Sequence, residues 1–482
     1  TKDDRVKKFS FTGSTEVAQL IARTLSGRLS DAGEPILLIA ETGGQNAMIV
    51  DSSALAEQVV GDVLSSAFDS AGQRCSALRV LCVQEDVADR TITMLKHAAQ
   101  EWNIGNPDRL DTDVGPVIDA QAQEVIEAHI ERMQQEGQQV TRVSRNEPTT
   151  PGHFVVPAVV EIDKLSRLQR EVFGPVLHVL RFQRDELDQL VDAINATGYG
   201  LTFCVHSRID ETIERVTSRI HAGNLYVNRN QIGAVVGVQP FGGMGLLGTG
   251  PKAGGPLYLY RLVRTQDPQA DLARLPAQEQ AAMPDALQAL RQLVAQGSVP
   301  DLGTTAQAAA LKACDAPSHY PSSGYMQTLP GPTGESNRYQ LLARAGVWLV
   351  PSTVNGLVQQ VAAALGTGNT ATVVGSAALR PALAALQAVP ALAGALQVVE
   401  ADALRDEQLA MSVLLHEGDS DALLLLAQQV AQRNGQLVRV ESRTAEQLLQ
   451  EHSYNLSALV HEQSMSTNTA AAGGNAQLMT TA

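Results

Sequence analysis

A cysteine and a glutamate in separate segments of the chain have the residue types needed for acyl chemistry. Cys75 lies in AGQRCSALRV, between a predicted helix and a predicted strand, and Glu41 opens ETGGQN after the apolar run Ile36–Ile39. A thiolate can attack a carbonyl carbon, and a carboxylate can activate the water that releases the product. Taken alone, each residue has a simpler explanation, Cys75 as a small buried side chain and Glu41 as a surface residue in a glycine turn.

Three further segments combine glycine with predicted strand ends. FTGST (11–15) runs from a strand through Gly13 into a helix N-terminus, where free N–H groups can bind a phosphate. EVFGPV (171–176) and VNRNQIGAVVGVQPFGGMG (227–245) are the other two, and the second could form a backbone nest for a carboxylate. Ordinary loops are equally rich in glycine, so none of these segments identifies a site alone.

The elements that would position these residues follow an α/β pattern. The apolar periodicity predicts strands at 6–12, 36–39 and 78–83 and helices at 14–25, 54–68 and 88–102. Ser14 or Thr15 is predicted to cap the first helix. Strands that alternate with helices favour a doubly wound, mainly parallel sheet. A second α/β pattern begins at a strand over 346–350, followed by a helix over 354–365 and a strand over 370–374.

Composition excludes several classes of function. The 482 residues include 36 basic and 51 acidic side chains, a formal charge of −15, and no basic patch that would bind nucleic acid or an anionic membrane. The four cysteines have neither metal-ligand spacing nor the arrangement of a disulfide framework, which predicts no metal site and a reducing, cytoplasmic location. No apolar run reaches the roughly 18 residues of a membrane span.

Taken together, the motifs resemble a known family. FTGST, ETGG, GQRC, EVFGPV and QPFGG, in this order, resemble the aldehyde dehydrogenase superfamily over residues 6–265. GQRCSALRVL, GHFVVPAVVEI and VGVQPFGGMGLLGTGPKAGGPLYL are similar to the glutamate γ-semialdehyde (Δ1-pyrroline-5-carboxylate) dehydrogenases, in particular to the C-terminal portion of the bifunctional proline utilization A enzymes. The resemblance implies an aldehyde dehydrogenase-like α/β fold with a second, degenerate Rossmann-like domain.

The resemblance also assigns roles to residues. It implies that Cys75 is the nucleophile and that Glu41 is the general base. The residues implied to bind NAD are Thr12, Gly13, Ser14, Thr42, Gly43, Glu171 and Phe173. Those implied to bind the substrate, mainly through its α-carboxylate, are Arg74, Ser76, Gly233, Ala234 and Phe241.

Further expectations follow from the same resemblance. The segments that carry the family's oxyanion Asn and cofactor Lys are expected upstream, together with a proline dehydrogenase module that would hold FAD. The expected partners are a small-molecule substrate, that upstream segment and other copies of the chain in a homo-oligomer. Nucleic acid is not expected for this segment, and peripheral membrane contact is expected only through the upstream module.

Six segments are predicted along the chain. They are the incomplete end of an NAD-binding domain (1–40), a catalytic thiol domain (41–235), a return segment to the NAD-binding domain (236–265), a helical connector (266–300), a degenerate aldehyde dehydrogenase-like domain (301–455) and a C-terminal flap with a docking tail (456–482). The degenerate copy lacks the family's Asn, Lys and Cys, which predicts that it is non-catalytic. Residues 468–482 are expected to dock on the dehydrogenase module as a lid.

Two alternatives remain at this stage. The chain could oxidise a different aldehyde, which a requirement for a free substrate α-carboxylate would discriminate. It could instead be a non-catalytic scaffold that kept the fold. The presence of both Cys75 and Glu41 argues against a scaffold, which needs neither group, although a fold alone never establishes a function.

Overall fold

A computed structural model describes residues 3, 5–142, 151–263, 267–278, 282–450 and 453–470. The chain forms two compact units. The first comprises residues 1–41, 248–327 and 339–463, and the second comprises residues 42–247, 328–338 and 464–482. These divisions differ from the six predicted segments, whose boundaries stay predictions. The expected docking tail lies outside the described residues from position 471 onward.

The strands alternate with helices through most of the chain. The strands are β1 (Lys8–Gly13), β2 (Leu37–Thr42), β3 (Ala47–Val50), β4 (Val80–Gln84), β5 (Gln139–Arg142), β6 (Ala158–Ile162), β7 (Val176–Phe182), β8 (Tyr199–Gly200), β9 (Thr202–His206), β10 (Asn224–Val227), β11 (Met244–Gly245), β12 (Met326–Leu329), β13 (Glu335–Ala343), β14 (Val347–Val350), β15 (Ala371–Val374), β16 (Leu396–Val399), β17 (Val413–Glu417), β18 (Arg439–Arg443) and β19 (Val460–Asn468).

The helices complete the order of elements. They are α1 (Thr15–Leu25), α2 (Ala56–Phe68), α3 (Glu85–Ala99), α4 (Ala120–Gln135), α5 (Leu187–Ala196), α6 (Asp210–Arg219), α7 (Tyr258–Leu262), α8 (Asp285–Ala295), α9 (Thr304–Asp315), α10 (Val354–Gly366), α11 (Arg380–Gln387), α12 (Pro390–Ala393), α13 (Ser420–Ala431) and α14 (Ala445–Leu449). None of the helices in the described part of the chain is long and apolar enough to cross a membrane.

The second unit contains the whole of seven strands, β10-β9-β3-β4-β7-β6-β5, of a ten-stranded sheet with the order β12-β13-β19-β10-β9-β3-β4-β7-β6-β5. The pairings from β19 to β6 are parallel, and β5 is antiparallel to β6. The central strands are buried on both faces, as β4 shows along its whole length. This burial explains their unbroken apolar sequences, since a parallel sheet is covered by helices on both sides.

The first unit contains a five-stranded sheet of order β16-β15-β14-β17-β18, with every pairing parallel. Helix α10 follows β14 directly, and all of its 13 residues are buried. This strand order is that of a Rossmann-type sheet, in which ligands bind where the order reverses. The second α/β pattern of the sequence is therefore a folded α/β sheet.

Most predicted elements are confirmed with shifted ends, and two differ. Glu41 lies inside β2, because that strand extends to Thr42 instead of ending at Ile39. The predicted helical connector is only partly helical among its described residues, with a single long helix, α8. Leu287, Leu290 and Val294 of α8 are buried within the first unit, so this segment is part of a core.

Candidate active site

Cys75 lies in the turn that the sequence predicts, after a 3₁₀ turn at Asp69–Gly72 and before β4. Cys75 forms no disulfide and is half-buried, whereas the other three cysteines are buried. Burial raises the pKa of the Cys82 and Cys314 thiols to about 12 and raises that of Cys204 still further. Among the four thiols, Cys75 is thus the one placed for chemistry, because a reactive thiol must be accessible.

The backbone before Cys75 adopts an unusual conformation. Ser70, Ala71 and Gly72 have φ angles of +57°, +55° and +65°, so three consecutive residues are left-handed. Such geometry is costly for the two residues that carry a Cβ and persists only where the surroundings enforce it. At Gly72 a Cβ would lie 2.4 Å from the carbonyl oxygen of Gly174, so glycine is required there.

Asn46, the residue just before β3, fixes the thiol turn. Its Nδ2 donates to the carbonyl oxygens of Cys75 (2.6 Å) and Ala77 (2.9 Å), and its Oδ1 accepts from the Thr202 amide (3.1 Å). Gly44 packs so close that a Cβ there would lie 2.8 Å from the Cys75 carbonyl oxygen. The ETGGQN segment therefore supports the nucleophile directly, a role the sequence analysis did not assign to Asn46.

Ser76 is held by two buried side chains that the sequence analysis also missed. The carbonyl oxygen of Ser76 accepts from Thr202 Oγ1 and from Gln231 Nε2, each at 3.2 Å. Gln231 also donates to Thr202 Oγ1 at 3.2 Å. Ser76, which is predicted to bind the substrate, is itself buried and follows Cys75 directly in the sequence.

Glu41 belongs to the first unit, where β2 forms a bridge between Glu41 and Gly248. The nearby Lys252 is buried, and burial lowers its pKa to about 7, although the carboxylates of Glu462 and Glu41 act in the opposite direction. The Lys252 amide donates to Glu462 Oε2 at 2.8 Å, and Tyr339 donates its hydroxyl to Glu462 Oε1 at 2.9 Å. Glu41 thus lies near a buried, charged network.

Glu171 and the glycines after Thr42 form a compact group in the second unit. The Gly44 amide donates to Glu171 Oε2 at 2.8 Å, and a Cβ at Gly43 would lie 2.3 Å from that oxygen. Thr42 donates its hydroxyl to the Leu246 carbonyl at 2.9 Å. Burial raises the pKa of the Glu171 carboxyl, opposed by the nearby guanidinium of Arg79.

Phe173 offers a flat apolar surface to solvent. Phe173 is 44% exposed, although it lies beside the buried ion pair of Arg79 and Glu171. The Arg79 guanidinium lies 5.2 Å from the ring centroid. An exposed ring beside the Glu171 carboxylate fits a cofactor with a flat heteroaromatic ring and ribose hydroxyls, because the ring can stack and the carboxylate can accept hydrogen bonds.

Thr12, Gly13 and Ser14 lie in the first unit where β1 passes into α1, and all three are exposed. Ser14 is the N-cap and accepts from the Val17 amide at 3.3 Å, as the sequence predicts. The 11-residue helix α1 directs its positive end to this position, which fits a diphosphate group.

The predicted substrate residues form two groups in the second unit. Arg74 adjoins Cys75 and donates from Nε to Ser70 Oγ at 2.9 Å. Gly233, with φ of +78°, and Ala234 lie in an exposed loop that ends near the half-buried Phe241. No group of three His, Cys, Asp or Glu side chains within the described ranges could hold a metal ion.

The aldehyde dehydrogenase family model matches residues 1–267 of the chain, which include every predicted site residue. The chain belongs to the aldehyde dehydrogenase family. Its aldehyde dehydrogenase-like α/β fold is thereby confirmed. The individual roles of the site residues stay predictions, because family membership alone does not test them.

Three similar proteins extend the comparison. "Bifunctional protein PutA" of Escherichia coli (strain K12) is 49% identical over the whole chain, which spans 36% of that protein and matches its C-terminal part. The crystal structure of 1-pyrroline-5-carboxylate dehydrogenase from Thermus with bound NAD is 35% identical, with a TM-score of 0.50, over 54% of this chain and 50% of that one. Proline utilization A from Corynebacterium freiburgense, 23% identical with a TM-score of 0.66, shows the same fold over 96% of this chain and 42% of its own.

Outside the residues that the family model matches, a side chain already occupies the N-terminus of α10. Glu417 Oε2 accepts from the amides of Ser352 (2.7 Å) and Thr353 (2.8 Å), and Oε1 accepts from Thr353 Oγ1 (2.7 Å). A Rossmann-type sheet would hold a dinucleotide phosphate at the equivalent helix end. The internal carboxylate supports the prediction of a non-catalytic copy.

Proposed function

We propose that the protein oxidises L-glutamate γ-semialdehyde, formed from Δ1-pyrroline-5-carboxylate, to L-glutamate with NAD as oxidant, the second step of proline catabolism. The observation that carries the proposal is the half-buried Cys75 thiol in a turn whose carbonyl groups are bound by buried side chains, in a chain of the aldehyde dehydrogenase family. The substrate class comes from the relative named 1-pyrroline-5-carboxylate dehydrogenase.

The chemistry begins at Cys75. Its thiolate attacks the aldehyde carbon to form a C–S bond, and the Cys75 amide helps to hold the developing oxyanion of the thiohemiacetal. A bound NAD would supply the hydride acceptor, so that loss of hydride from that carbon would leave a thioester on Cys75. Glu41 then takes a proton from water, the resulting hydroxide attacks the thioester, and cleavage of the C–S bond releases glutamate and restores the thiolate.

Different groups of residues would bind different parts of NAD. Thr12, Gly13 and Ser14 at the N-terminus of α1 would bind the diphosphate, and Glu171 with Phe173 would bind the nicotinamide ribose and ring. Thr42 and Gly43 belong to the same set, since Gly43 leaves room for the Glu171 carboxylate. FAD would belong only to an upstream proline dehydrogenase module.

A substrate with an α-carboxylate suits the remaining residues. The Ser76 hydroxyl and the amides of Gly233 and Ala234 would bind the carboxylate, because a hydroxyl and successive N–H groups suit this anion. Phe241 would pack on the aliphatic part, and Arg74 would contribute positive charge beside the thiol.

The setting of the reaction belongs to the same proposal. Four cysteines that form no disulfide fit a reducing compartment, and we place the protein in the cytoplasm. The E. coli protein is longer than this chain, which spans 36% of it. We expect a corresponding upstream segment of the same polypeptide to be a partner of the residues described here. A homo-oligomer is also expected.

Three variants of the full-length protein test the mechanism. Cys75→Ala should abolish NADH formation from glutamate γ-semialdehyde, and Glu41→Gln should give a burst of NADH equal to the enzyme concentration and then slow release. Cys314→Ala, at a buried thiol of the first unit, is the matched control and should keep normal turnover.

Propanal, which lacks the α-carboxylate, should be a much poorer substrate. Normal NADH formation by Cys75→Ala would refute the mechanism, and equal use of propanal would refute the proposed substrate.

A further inference from the structure

A buried arginine joins the thiol turn to the residues expected to face the nicotinamide. Arg79, just before β4, is 1% exposed, and its guanidinium is surrounded by acceptors of the second unit. Nη1 donates to the carbonyl oxygens of Gly72 (2.7 Å) and Gly174 (3.2 Å), and Nη2 donates to that of Arg74 (3.2 Å). Two of these acceptors belong to the turn that carries Cys75.

The other edge of the same guanidinium faces Glu171 and Phe173. Nε and Nη2 donate to Glu171 Oε1 at 3.2 Å and 3.0 Å. The ring of Phe173 lies 5.2 Å from the guanidinium carbon, within the range of a cation–π contact. One planar group therefore contacts both the turn before the nucleophile and two residues expected to hold the cofactor.

Stability alone does not explain a cation at this position. Burial lowers the pKa of Arg79, and the opposing charges of Glu171 and Cys75 act against that shift. A buried ion pair gains little over well-packed apolar side chains, because both charges lose their hydration. What distinguishes Arg79 from an apolar side chain is geometry, since its guanidinium supplies five donors in a fixed plane.

We propose that Arg79 is a positioning residue that fixes the distance between the Cys75 turn and the pair Glu171 and Phe173. The inference rests on the proposed function, because it requires Glu171 and Phe173 to hold the nicotinamide end of NAD. Hydride transfer demands that the carbon bound to Cys75 and the acceptor ring meet closely, and a misplacement of about 1 Å can cost roughly a hundredfold in rate. Arg79 acts on that distance without touching either reactant.

Arg79→Lys in the full-length protein is the primary test. Lysine keeps the charge but carries its three donors on one nitrogen, so it cannot reach both the turn carbonyls and Glu171 with the planar spacing of a guanidinium. We expect the rate of hydride transfer, measured as a single-turnover NADH burst, to fall by about tenfold to a hundredfold and the KM for NAD to rise, with the KM for the aldehyde nearly unchanged. The burst should also become slower with aldehyde that carries deuterium at the reacting carbon.

Arg433→Lys is the matched control. Arg433 lies in the first unit and donates to three carbonyl oxygens, those of Leu404, Asp406 and Leu409. Its replacement therefore removes comparable arginine–carbonyl bonds at a position outside the predicted site. Its burst rate and KM for NAD should stay at the wild-type values. The melting temperature of both variants is recorded, and each is assayed well below it, so that a destabilised variant is still tested.

A double-mutant cycle provides the second measurement. Glu171→Gln and Arg79→Lys should be strongly non-additive in the burst rate, because either change breaks the same contact. If Arg79→Lys lowers only the melting temperature and leaves both the burst rate and the KM for NAD unchanged, the positioning role is wrong while the proposed function stands. If Cys75→Ala still forms NADH, the proposed function fails first, whatever Arg79 does.

Discussion

Arg229 and Glu335 form a largely buried ion pair across 106 residues of chain. Gln239 donates to the other oxygen of the Glu335 carboxylate, and Asn337 donates to that same oxygen at 2.9 Å. Arg229 and Gln239 lie on either side of the loop that carries Gly233 and Ala234. A short segment from the later part of the chain therefore holds both ends of the expected carboxylate-binding loop.

Glu335→Ala should weaken substrate binding more than catalysis. Without the carboxylate, the two ends of the loop lose their common partner, so the amides expected to bind the α-carboxylate are less well ordered. We expect the KM for glutamate γ-semialdehyde to rise about tenfold, with a smaller change in kcat. Steady-state kinetics measure both constants. Asp188→Asn, which breaks the exposed pair with Arg215 in the same unit, is the control and should leave them unchanged.

Asn46→Ala should loosen the thiol turn. The change removes both donors to the turn and leaves buried groups unpaired, at a cost of about 1–3 kcal/mol for each such group. The urea midpoint and kcat should both fall, and Asn46→Asp should be worse because a carboxylate would face two carbonyl oxygens. Asn434→Ala, which removes exposed bonds to Glu407, provides the comparison. An unchanged urea midpoint in Asn46→Ala would contradict the role assigned to this side chain.

Asp62 should make stability depend on pH in the acid range. Burial raises the pKa of this carboxyl from 3.8 to about 6, with the Arg229 charge opposing, and His206 Nε2 lies 3.5 Å away. Between about pH 4 and 6 the folded form retains a proton that the unfolded form has lost, so this contribution to stability disappears as pH rises. Relative to wild type, Asp62→Asn should gain about 1–3 kcal/mol across that window, as measured by urea unfolding at each pH.

His206→Gln should change the pH dependence of stability in the direction opposite to Asp62→Asn. Burial lowers the pKa of His206 to about 4, so between about pH 4 and 6.5 the unfolded form binds the extra proton and this contribution to stability grows with pH. Relative to wild type, His206→Gln should therefore lose stability as pH rises through the same window. Parallel pH curves for the two variants would show that neither shift exists in the folded protein.

Glu417→Gln should destabilise the first unit without changing the chemistry. Charge-assisted hydrogen bonds are about twice as strong as neutral ones, and a negative charge at a helix N-terminus adds roughly 0.3–1 kcal/mol. The urea midpoint of the first unit should fall, while kcat stays within about twofold of wild type. Asp419→Asn, at the exposed N-cap of α13, should have a smaller effect on the midpoint. A loss of activity that exceeds the loss of folded protein would point to a functional role for Glu417.

Local signals in the sequence predicted the parts of the site that depend on local structure. The Ser14 cap and the turn at Cys75 both follow from residues within one or two positions of the feature. The apolar run Ile36–Ile39 predicts a strand that ends before Glu41, whereas β2 extends to Thr42 and Glu41 forms a backbone bridge with Gly248. Pairing across the fold decided that boundary, and pairing is not encoded locally.

The supporting side chains were missed for the same reason. Asn46, Gln231 and Glu335 act on partners 29, 155 and 106 residues away, and no periodicity reveals such contacts. Arg79 carried a usable signal, a charged residue at the start of the apolar run LRVLCV, where only a buried partner could make it tolerable. Its partner, Glu171, had been noted only for the cofactor.

The position of β19 has a consequence for biosynthesis. β19 pairs with β10 in parallel, and Asn468 is hydrogen-bonded to Asn228, 240 residues earlier. A chain leaving the ribosome must therefore carry β10 as an open sheet edge until nearly all of this sequence has been synthesised, and exposed edges are prone to pair with other chains. Slow translation over this stretch would prolong that exposure, and a chaperone that shields strand edges would protect the nascent protein.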